Sequence, residues 1–391
     1  MIQLKDICDI YDCPHTTAKD EGKGYPLVRT PNVGKGRLIL DGIHRVSEDV
    51  YNSRNARAIP EEGDLILARE APVGNVSIIM DGQRVCLGQR VVLIKPKREL
   101  VDPHFLTYYL LSAEVQHRLK NHANGAVVAH LNVSDIRNLW VTLPELEEQV
   151  AIGKILRSID DKIELNRQIN DNLEQQAQAL YKSWFVDFEP FKDGNFVESD
   201  LGLIPEGWSV GNLLDVAELY DSKRKPLSGM QRSAMKKIYP YYGATSIMDY
   251  VDNYIFDGIY LLMGEDGSVV TDDGYPFLQY VSGKFWPNNH AHVMQGKNGY
   301  STEMLHCFLL KKNISEIVTG AVQAKISQGN MKKISLVIAP NEVLNEFAPV
   351  IDRMYSKIRA IHFENQQLET MRDTLLPKLM SGELKINEID C

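Results

Sequence analysis

Reactive side chains spaced to act together occur at only a few places in this chain, and each set is incomplete. Asp12 followed by Glu21-Gly22-Lys23 loosely imitates the carboxylate–lysine pattern of a nuclease, but short acidic and basic spacings of this kind are common. Cys8, Cys13 and His15 imitate part of a zinc site and lack the four ligands in paired spacing that such a site needs. His290 and His292 flank Ala291 and would share one side of a strand, a geometry that serves a metal less often than a hydrogen-bonding pair. Gly22-Lys23, Gly34-Lys35, Gly153-Lys154, Gly283-Lys284 and Gly296-Lys297 all lack the following Ser or Thr of a phosphate loop. There is no GxGxxG fingerprint and no Asn/Asp-Pro-Pro-aromatic motif of an amino-methyltransferase. No catalytic residue, metal or cofactor is therefore expected in this chain.

The elements that would position any site belong to an ordinary globular composition. The 391 residues carry 43 Lys+Arg against 52 Asp+Glu, a net charge of −9, with 44% hydrophobic and 24% charged residues. That length suggests two or three domains, each able to bury a core. The longest apolar run, Ile259 to Met263, is far too short to cross a membrane. MIQLKDICDIYDC has no basic head before an apolar stretch and is not expected to be a signal peptide. Five cysteines, Cys8, Cys13, Cys86, Cys307 and Cys391, form no CxxC pair, so no disulfide framework is expected and a reducing cytoplasm fits.

An internal repeat organises the whole chain. Gly125-Ala126-Val127-Val128-Ala129 recurs as Gly320-Ala321-Val322-Gln323-Ala324, an offset of 195, half the length. Gly63 to Leu67 and Glu70 align with Gly258 to Leu262 and Glu265 at the same offset. Leu4, Asp6, Ile10, Tyr11 and Asp12 match Leu213, Asp215, Leu219, Tyr220 and Asp221 at offset 209. Each copy has a Gly- and Pro-rich front part with short β-type runs such as Arg90 to Ile94 and Ser335 to Ile338, and helical stretches such as Pro103 to Lys120. These fronts read as compact α/β domains.

The back parts are helical. From Lys154 to Glu189 there is no Gly or Pro. Leu156, Ile159, Ile163, Asn166, Asn170, Leu173, Ala177, Leu180 and Trp184 follow 3,4 steps, a coiled-coil seam. Ile351, Met354, Ile358, Ile361, Asn365, Leu368, Arg372, Leu375 and Leu379 form a second seam in the same phase. Asn170 and Asn365 are equivalent; a seam Asn costs stability but fixes register, because only the correct alignment pairs its amide. The two seams are most simply satisfied by packing on each other. Related by a twofold axis they would run antiparallel, holding two similar heads apart. Gly194, Gly202, Pro205 and Gly207 mark the linker between copies. The excess negative charge lies in the helices: residues 145–200 carry net −7 and 341–391 net −3, against +1 for 1–144 and 0 for 201–340. Balanced fronts leave room for a local basic face but suggest that other subunits supply many phosphate contacts.

Particular strings in these regions resemble the specificity subunit of type I restriction–modification systems. They are Leu143-Pro144 leading into Glu148-Gln149-Val150-Ala151-Ile152, Ile159-Asp160-Asp161-Lys162-Ile163, and Ala179-Leu180-Tyr181-Lys182-Ser183-Trp184-Phe185. Gly202 to Trp208 is similar to that family's entry into its second recognition domain, and Leu375 to Leu384 to its ending. The resemblance covers the full length, more strongly in the helices than in the fronts. It implies an α+β fold: two globular α/β target recognition domains joined by two long antiparallel coiled-coil helices in a pseudo-twofold repeat. The corresponding boundaries are 1–144 and 208–340 for the recognition domains, 145–190 for the first spacer helix, 191–207 for the linker, and 341–391 for the second helix and tail. It implies a non-catalytic subunit in which each front reads half of a split, asymmetric site on double-stranded DNA. The helices would act as a ruler and dock two modification subunits. Those subunits would hold S-adenosylmethionine and methylate adenine, and restriction/translocase subunits would use ATP and Mg.

Base readout favours Arg, Lys, Asn, Gln and Glu on loops. The candidates in the first domain are Arg29, Thr30, Asn32, Lys35, Arg69, Glu70, Gln89, Arg90 and His130. In the second they are Lys223, Arg224, Lys225, Tyr242, Glu265, Asp266, Asn289, His290, Gln323 and Lys325. Fewer than half are expected to touch DNA, the rest being solvated side chains or local turn bonds. Gly125 and Gly320 are expected to serve turns, and Trp140, Trp184 and Trp208 to anchor core or interface. The competing reading is a non-catalytic scaffold with two protein-binding heads and no sequence-specific DNA binding; an enzyme is disfavoured by the missing motifs.

Overall fold

The computed structural model describes residues 1–122, 129–320 and 323–386. Gly125 to Val128 of the first repeated string, Ala321 and Val322 of the second, and Cys391 lie outside the described residues. The chain divides into two units, Met1–Leu165 with Glu364–Cys391, and Asn166–Phe363. Each unit thus combines one front domain with a stretch of both long helices.

In the first unit the main sheet consists of β1 (Cys8–Asp12), β2 (Gly36–Arg37), β3 (Leu65–Ala68), β4 (Val76–Ile78) and β5 (Val91–Pro96), in the order β1-β5-β3-β4-β2. Strand β5 begins Val-Val-Leu-Ile without alternation because both its faces are covered. Val92 and Ile94 join Leu65, Leu67 and Phe105 on one side, while Val91 and Leu93 join Ile66, Ala68 and Val28 on the other. Helix α1 (Pro103–Leu111) lies on the first side. Its start is set by Asp102, whose carboxylate accepts the Phe105 N–H at 2.8 Å, and by Pro103 at a position that needs no N–H.

The second unit repeats this plan with β6 (Ala217–Leu219), β7 (Tyr239–Tyr242), β8 (Ile247–Val251), β9 (Phe256–Gly264), β10 (Leu278–Pro287) and β11 (Ala291–Gly296). Their order is β6-β11-β9-β10-β7-β8, the first sheet with one strand added at the edge. The parallel pair β2·β4 recurs as parallel β7·β10. Helix α2 (Thr302–Leu310) is capped by Ser301, and its Met304 and Leu305 pack with Leu261, Met263 and Met294. Leu262, Val281, Ala291 and Val293 fill the opposite face.

Strand register corrects the repeat alignment. Ala68 lies opposite Val91, and Gly264 opposite Ala291, which equates 68 with 264 at an offset of 196. Glu70 therefore corresponds to Asp266 rather than to Glu265, and Glu265 stands where Arg69 does. The shared glutamate suggests the other alignment, but the hydrogen-bonded ladder decides. On the edge strands Asp12 faces Val92 and Leu219 faces Met294, so Asp12 and Asp221 correspond at offset 209.

The first long helix spans Leu146–Phe185 and the second Asn341–Ser381. In the first unit Leu156 shares a core with Leu379, Arg372 Nη1 donates to Asp160 Oδ1 at 2.8 Å, and Asn365 Nδ2 donates to the Ile163 carbonyl at 3.4 Å. Ascending numbers on one helix meet descending numbers on the other, so the pair is antiparallel. In the second unit Asn170 Nδ2 donates to the Ile358 carbonyl at 3.4 Å, and Tyr181 packs on Phe347, again antiparallel. The two Asn amides thus each reach a backbone carbonyl of the facing helix, on the residues Ile163 and Ile358 that the repeat equates. Leu156, Ile159, Ile163, Ile351 and Ile358 are buried, and Leu173, Leu180, Met354, Leu368 and Leu375 are partly buried. Ile152, Tyr181, Phe185, Phe347 and Tyr355 are buried too, although the seam omits them. A helix covered by a front domain as well as by its partner needs a wider apolar stripe than a coiled coil does.

Two expectations change. The linker expected at 191–207 contains an antiparallel hairpin, Phe196–Ser199 with Gly202–Pro205, beside an aromatic cluster of Phe188, Phe191 and Trp208. Trp184 packs on Phe347, but Trp140 is half exposed and anchors no core: in its two-residue strand Val141 points inward and Trp140 outward. Gly320 has φ +102, and a Cβ there would sit 2.0 Å from the Gln323 carbonyl oxygen, so the turn requires glycine.

Candidate nucleic-acid interface

In the first domain, four of the sequence candidates converge at one end of the sheet. Arg69 and Glu70 follow β3, Arg90 precedes β5 and His130 joins them from a later loop, while Asp12, outside the candidates, closes β1 beside them. Arg69 is buried and is the hub. Its Nε donates to the Leu131 carbonyl at 2.8 Å, Nη1 to Asp12 Oδ1 at 2.7 Å and Nη2 to His130 Nε2 at 2.7 Å. His130 Nδ1 then donates to Glu70 Oε1 at 2.8 Å, so the hydrogen-bond pattern puts the ring proton on Nδ1. Arg90 Nε pairs with Glu70 Oε2 at 3.0 Å. Every charge that leaves water here has an opposite partner, which is the condition for burying it.

At the matching end of the second sheet the same positions carry different residues. Glu265 replaces Arg69 as the hub, which inverts the central charge. Arg224 compensates, donating from Nη1 to Glu265 Oε2 at 2.6 Å and to the Ala291 carbonyl at 2.7 Å. Lys325, at the position of His130, lies 3.4 Å from Glu265 Oε1. Buried His292 supplies a further donor: Nδ1 lies 2.6 Å from Asp221 Oδ2, and Nε2 lies 2.7 Å from the Ile326 carbonyl oxygen. Burial pushes the Asp221 carboxyl up, but hydrogen bonds from His292, Gln328 and the Val293 N–H, with the His292 charge, hold it below its ordinary range. Asp221, Glu265 and His292 bring their ligand atoms within 4.8 Å of one another. Arg224 and Lys325 already neutralise Glu265, so the group is an ion network in which His292 serves as a hydrogen-bonding residue. His290 Nδ1 bonds Asp266 Oδ1. A cleft of about 340 Å³ lies against this pair, with Thr245, Ser246 and Gln323 also on its wall.

The remaining candidates fall elsewhere. Arg29, Thr30 and Asn32 make a turn in which Asn32 is buried, accepting the Arg29 N–H and donating to the Ile39 carbonyl. Asn32 therefore shapes the loop. Lys35 lines a cleft of about 890 Å³ together with Tyr108, Asp160 and Arg372. Gln89 ties down residues 15–17 through Thr17 and the His15 carbonyl. Lys223 lies over the Tyr220 ring, Lys225 offers its carbonyl to Trp286, and the Asn289 carbonyl accepts from Arg224. Burial among apolar residues pushes the Tyr242 hydroxyl up to about 12. Asp12, Asp221, His292 and Gln328 are cluster members absent from the candidates. The repeat carries the signal for the first two, which match at offset 209. Cys8 and Cys13 are buried, and burial pushes the Cys8 thiol up to about 12 and the Cys13 thiol up, so both are core thiols rather than zinc ligands.

Comparison with known proteins agrees with this duplicated architecture. The family model described as the type I restriction modification DNA specificity domain matches residues 1–175 and again 205–370. The MjaIX specificity subunit of Methanocaldococcus jannaschii is 26% identical over 411 residues, covering 99% of this chain and 94% of its own. The HindI specificity subunit of Haemophilus influenzae is 22% identical, covering 84% and 88%. A crystal structure of the type I S subunit from M. genitalium has the same fold, with a TM-score of 0.58, 16% identity, and coverage of 97% and 95%. The chain belongs to the family of type I restriction–modification specificity subunits.

Proposed function

We propose that this chain gives a type I restriction–modification complex its DNA sequence preference, with residues 1–144 and 208–340 each reading one half of a bipartite, asymmetric site on double-stranded DNA. The observation that carries this is the pair of polar clusters. They occupy register-equivalent ends of two similar sheets, yet differ at 69/265, 90/290 and 130/325. One scaffold with two sets of side chains suits two different half-sites. The exposed members, Arg90, His130, His290 and Lys325, would face bases or phosphates, and the buried members would hold them in place.

The long helices set the gap between half-sites and dock two adenine-methyltransferase subunits. Those subunits bring S-adenosylmethionine, and restriction/translocase subunits bring ATP and Mg; this chain holds no cofactor and is non-catalytic. Two reading domains, one for each half-site, would present one adenine on each strand for extrusion from the stack. No helix among the described residues is long and apolar enough to cross a membrane, and the complex would work on DNA in the cytoplasm.

The test is methylation by the purified modification subunit with and without this chain. Adenine methylation at one bipartite motif only when both are present is the expected result. Methyl transfer by this chain alone, or methylation by the pair without sequence preference, would overturn the proposal.

A further inference from the structure

Two side chains stand at one register position in the two sheets. Arg90 and His290 each immediately precede the strand next to the edge, β5 and β11, and each offers its carbonyl to the first residue beyond the neighbouring strand: Arg69 N–H at 2.9 Å and Glu265 N–H at 2.8 Å. Each is backed by the acid two positions past that strand's end, Glu70 for Arg90 and Asp266 for His290. The acids are turned inward, at 16% and 19% side-chain exposure, whereas the basic side chains are 62% and 45% exposed. Glu70 has both oxygens occupied, by Arg90 and His130, so it is not itself available to a base. The ion pair meets Arg90 at Nε; Nη1 and Nη2 make no hydrogen bond among the described residues. His290 Nε2 likewise has none, because the bond to Asp266 is made through Nδ1.

We propose that Arg90 and His290 are the base-reading side chains of the two domains, each aimed by the acid behind it, and that Arg90 takes a guanine. This rests on the reading of the chain as a DNA specificity subunit. The guanidinium fork left open by Glu70 matches the paired acceptors O6 and N7 of guanine in the major groove. An acid that fixes the side chain before DNA arrives removes much of the rotamer entropy that binding would otherwise cost. Arg90 also holds a left-handed backbone, φ 64, a conformation uncommon outside glycine and concentrated at functional sites. On the second head the shorter imidazole stands beside the cleft lined by Thr245, Ser246 and Gln323, so a different base edge is read there.

The experiment is selection of bound duplexes from a pool randomised at both half-sites, using the full chain assembled with its modification subunit. It compares wild type, Arg90→His, His290→Arg and Glu70→Gln, with thermal unfolding of each. Histidine tolerates left-handed backbone better than most residues, so Arg90→His is expected to fold. It should lose preference for one guanine in one half-site by on the order of 10- to 100-fold and leave the other half-site unchanged. His290→Arg should change one position in the other half-site only. Glu70→Gln should weaken the same guanine preference as Arg90→His without moving the second half-site. Unchanged consensus in both half-sites, or a uniform loss across all sequences as for a phosphate contact, would overturn the proposal. A wild-type complex that selects no bipartite site would instead overturn the reading beneath it.

Discussion

Arg69 and Arg90 lie within one polar cluster yet have opposite thermodynamic roles. Arg69 is buried with three bonds, so Arg69→Leu takes a buried charged partner from Asp12 and hydrogen-bond donors from His130 and the Leu131 carbonyl. Unfolding by urea should show a loss of about 3 kcal/mol. Arg90→Ala removes an exposed side chain and should change stability by no more than about 0.5 kcal/mol. Equal losses would mean that the cluster does not divide into positioning and reading residues. His306 offers a second test at this scale. It is buried beside Tyr355, with Nδ1 2.8 Å from the hydroxyl, and burial holds its pKa down at about 4 against 6.5. Above 6.5 it is neutral folded or unfolded; between 6.5 and 4 only the unfolded chain takes the proton. Wild-type stability should therefore fall by up to about 1.4 kcal/mol per pH unit through that window relative to His306→Gln. Parallel pH profiles for the two proteins would contradict this. Arg69, Glu70, Arg90 and His130 were legible as candidates because base readout favours such residue types on loops. Their division into buried and exposed was not, because it depends on Asp12 and Leu131 from other segments. Asn32 illustrates the same limit: its type suits base readout, and only its burial assigns it to the turn.

At the scale of elements, the long helices were the most legible part, since a 3,4 spacing sustained over some thirty residues has few other solutions. What periodicity left out is the second face: Tyr181, Phe185 and Tyr355 pack into the front-domain core as well as on the helix pair. A seam derived from one partner cannot include them. The seam Asn residues carry a prediction of their own. Each donates to a carbonyl of the facing helix at 3.4 Å, and Asn170 Oδ1 is buried with no hydrogen-bond partner among the described residues. Asn170→Leu with Asn365→Leu should therefore hold or raise the melting temperature while making helix alignment less unique, visible as heterogeneous crosslinks between cysteines placed on the two helices. A large drop in melting temperature would mean that the amides belong to a wider network. Register was the least legible property of the sheets. A one-residue difference between offsets 195 and 196 is invisible where both alignments match similar residues, and it decides that Glu70 answers to Asp266.

At the scale of the whole molecule, the repeat defined the family's architecture before any local structure did, and the family model matches the chain twice. The DNA sequence read is not legible, because equivalent positions differ between copies and recognition depends on side-chain identity rather than on fold. The spacing role proposed for the helices makes a geometric prediction. One heptad added to both long helices lengthens them by roughly 10 Å, or about three base pairs. The most direct measurement is long-read sequencing of methylated adenine in cells carrying the modification subunit with either the wild-type or the lengthened chain. The expected result is the same two half-sites separated by a gap about three base pairs wider. Altered half-sites with an unchanged gap would contradict a molecule that reads with its fronts and measures with its helices.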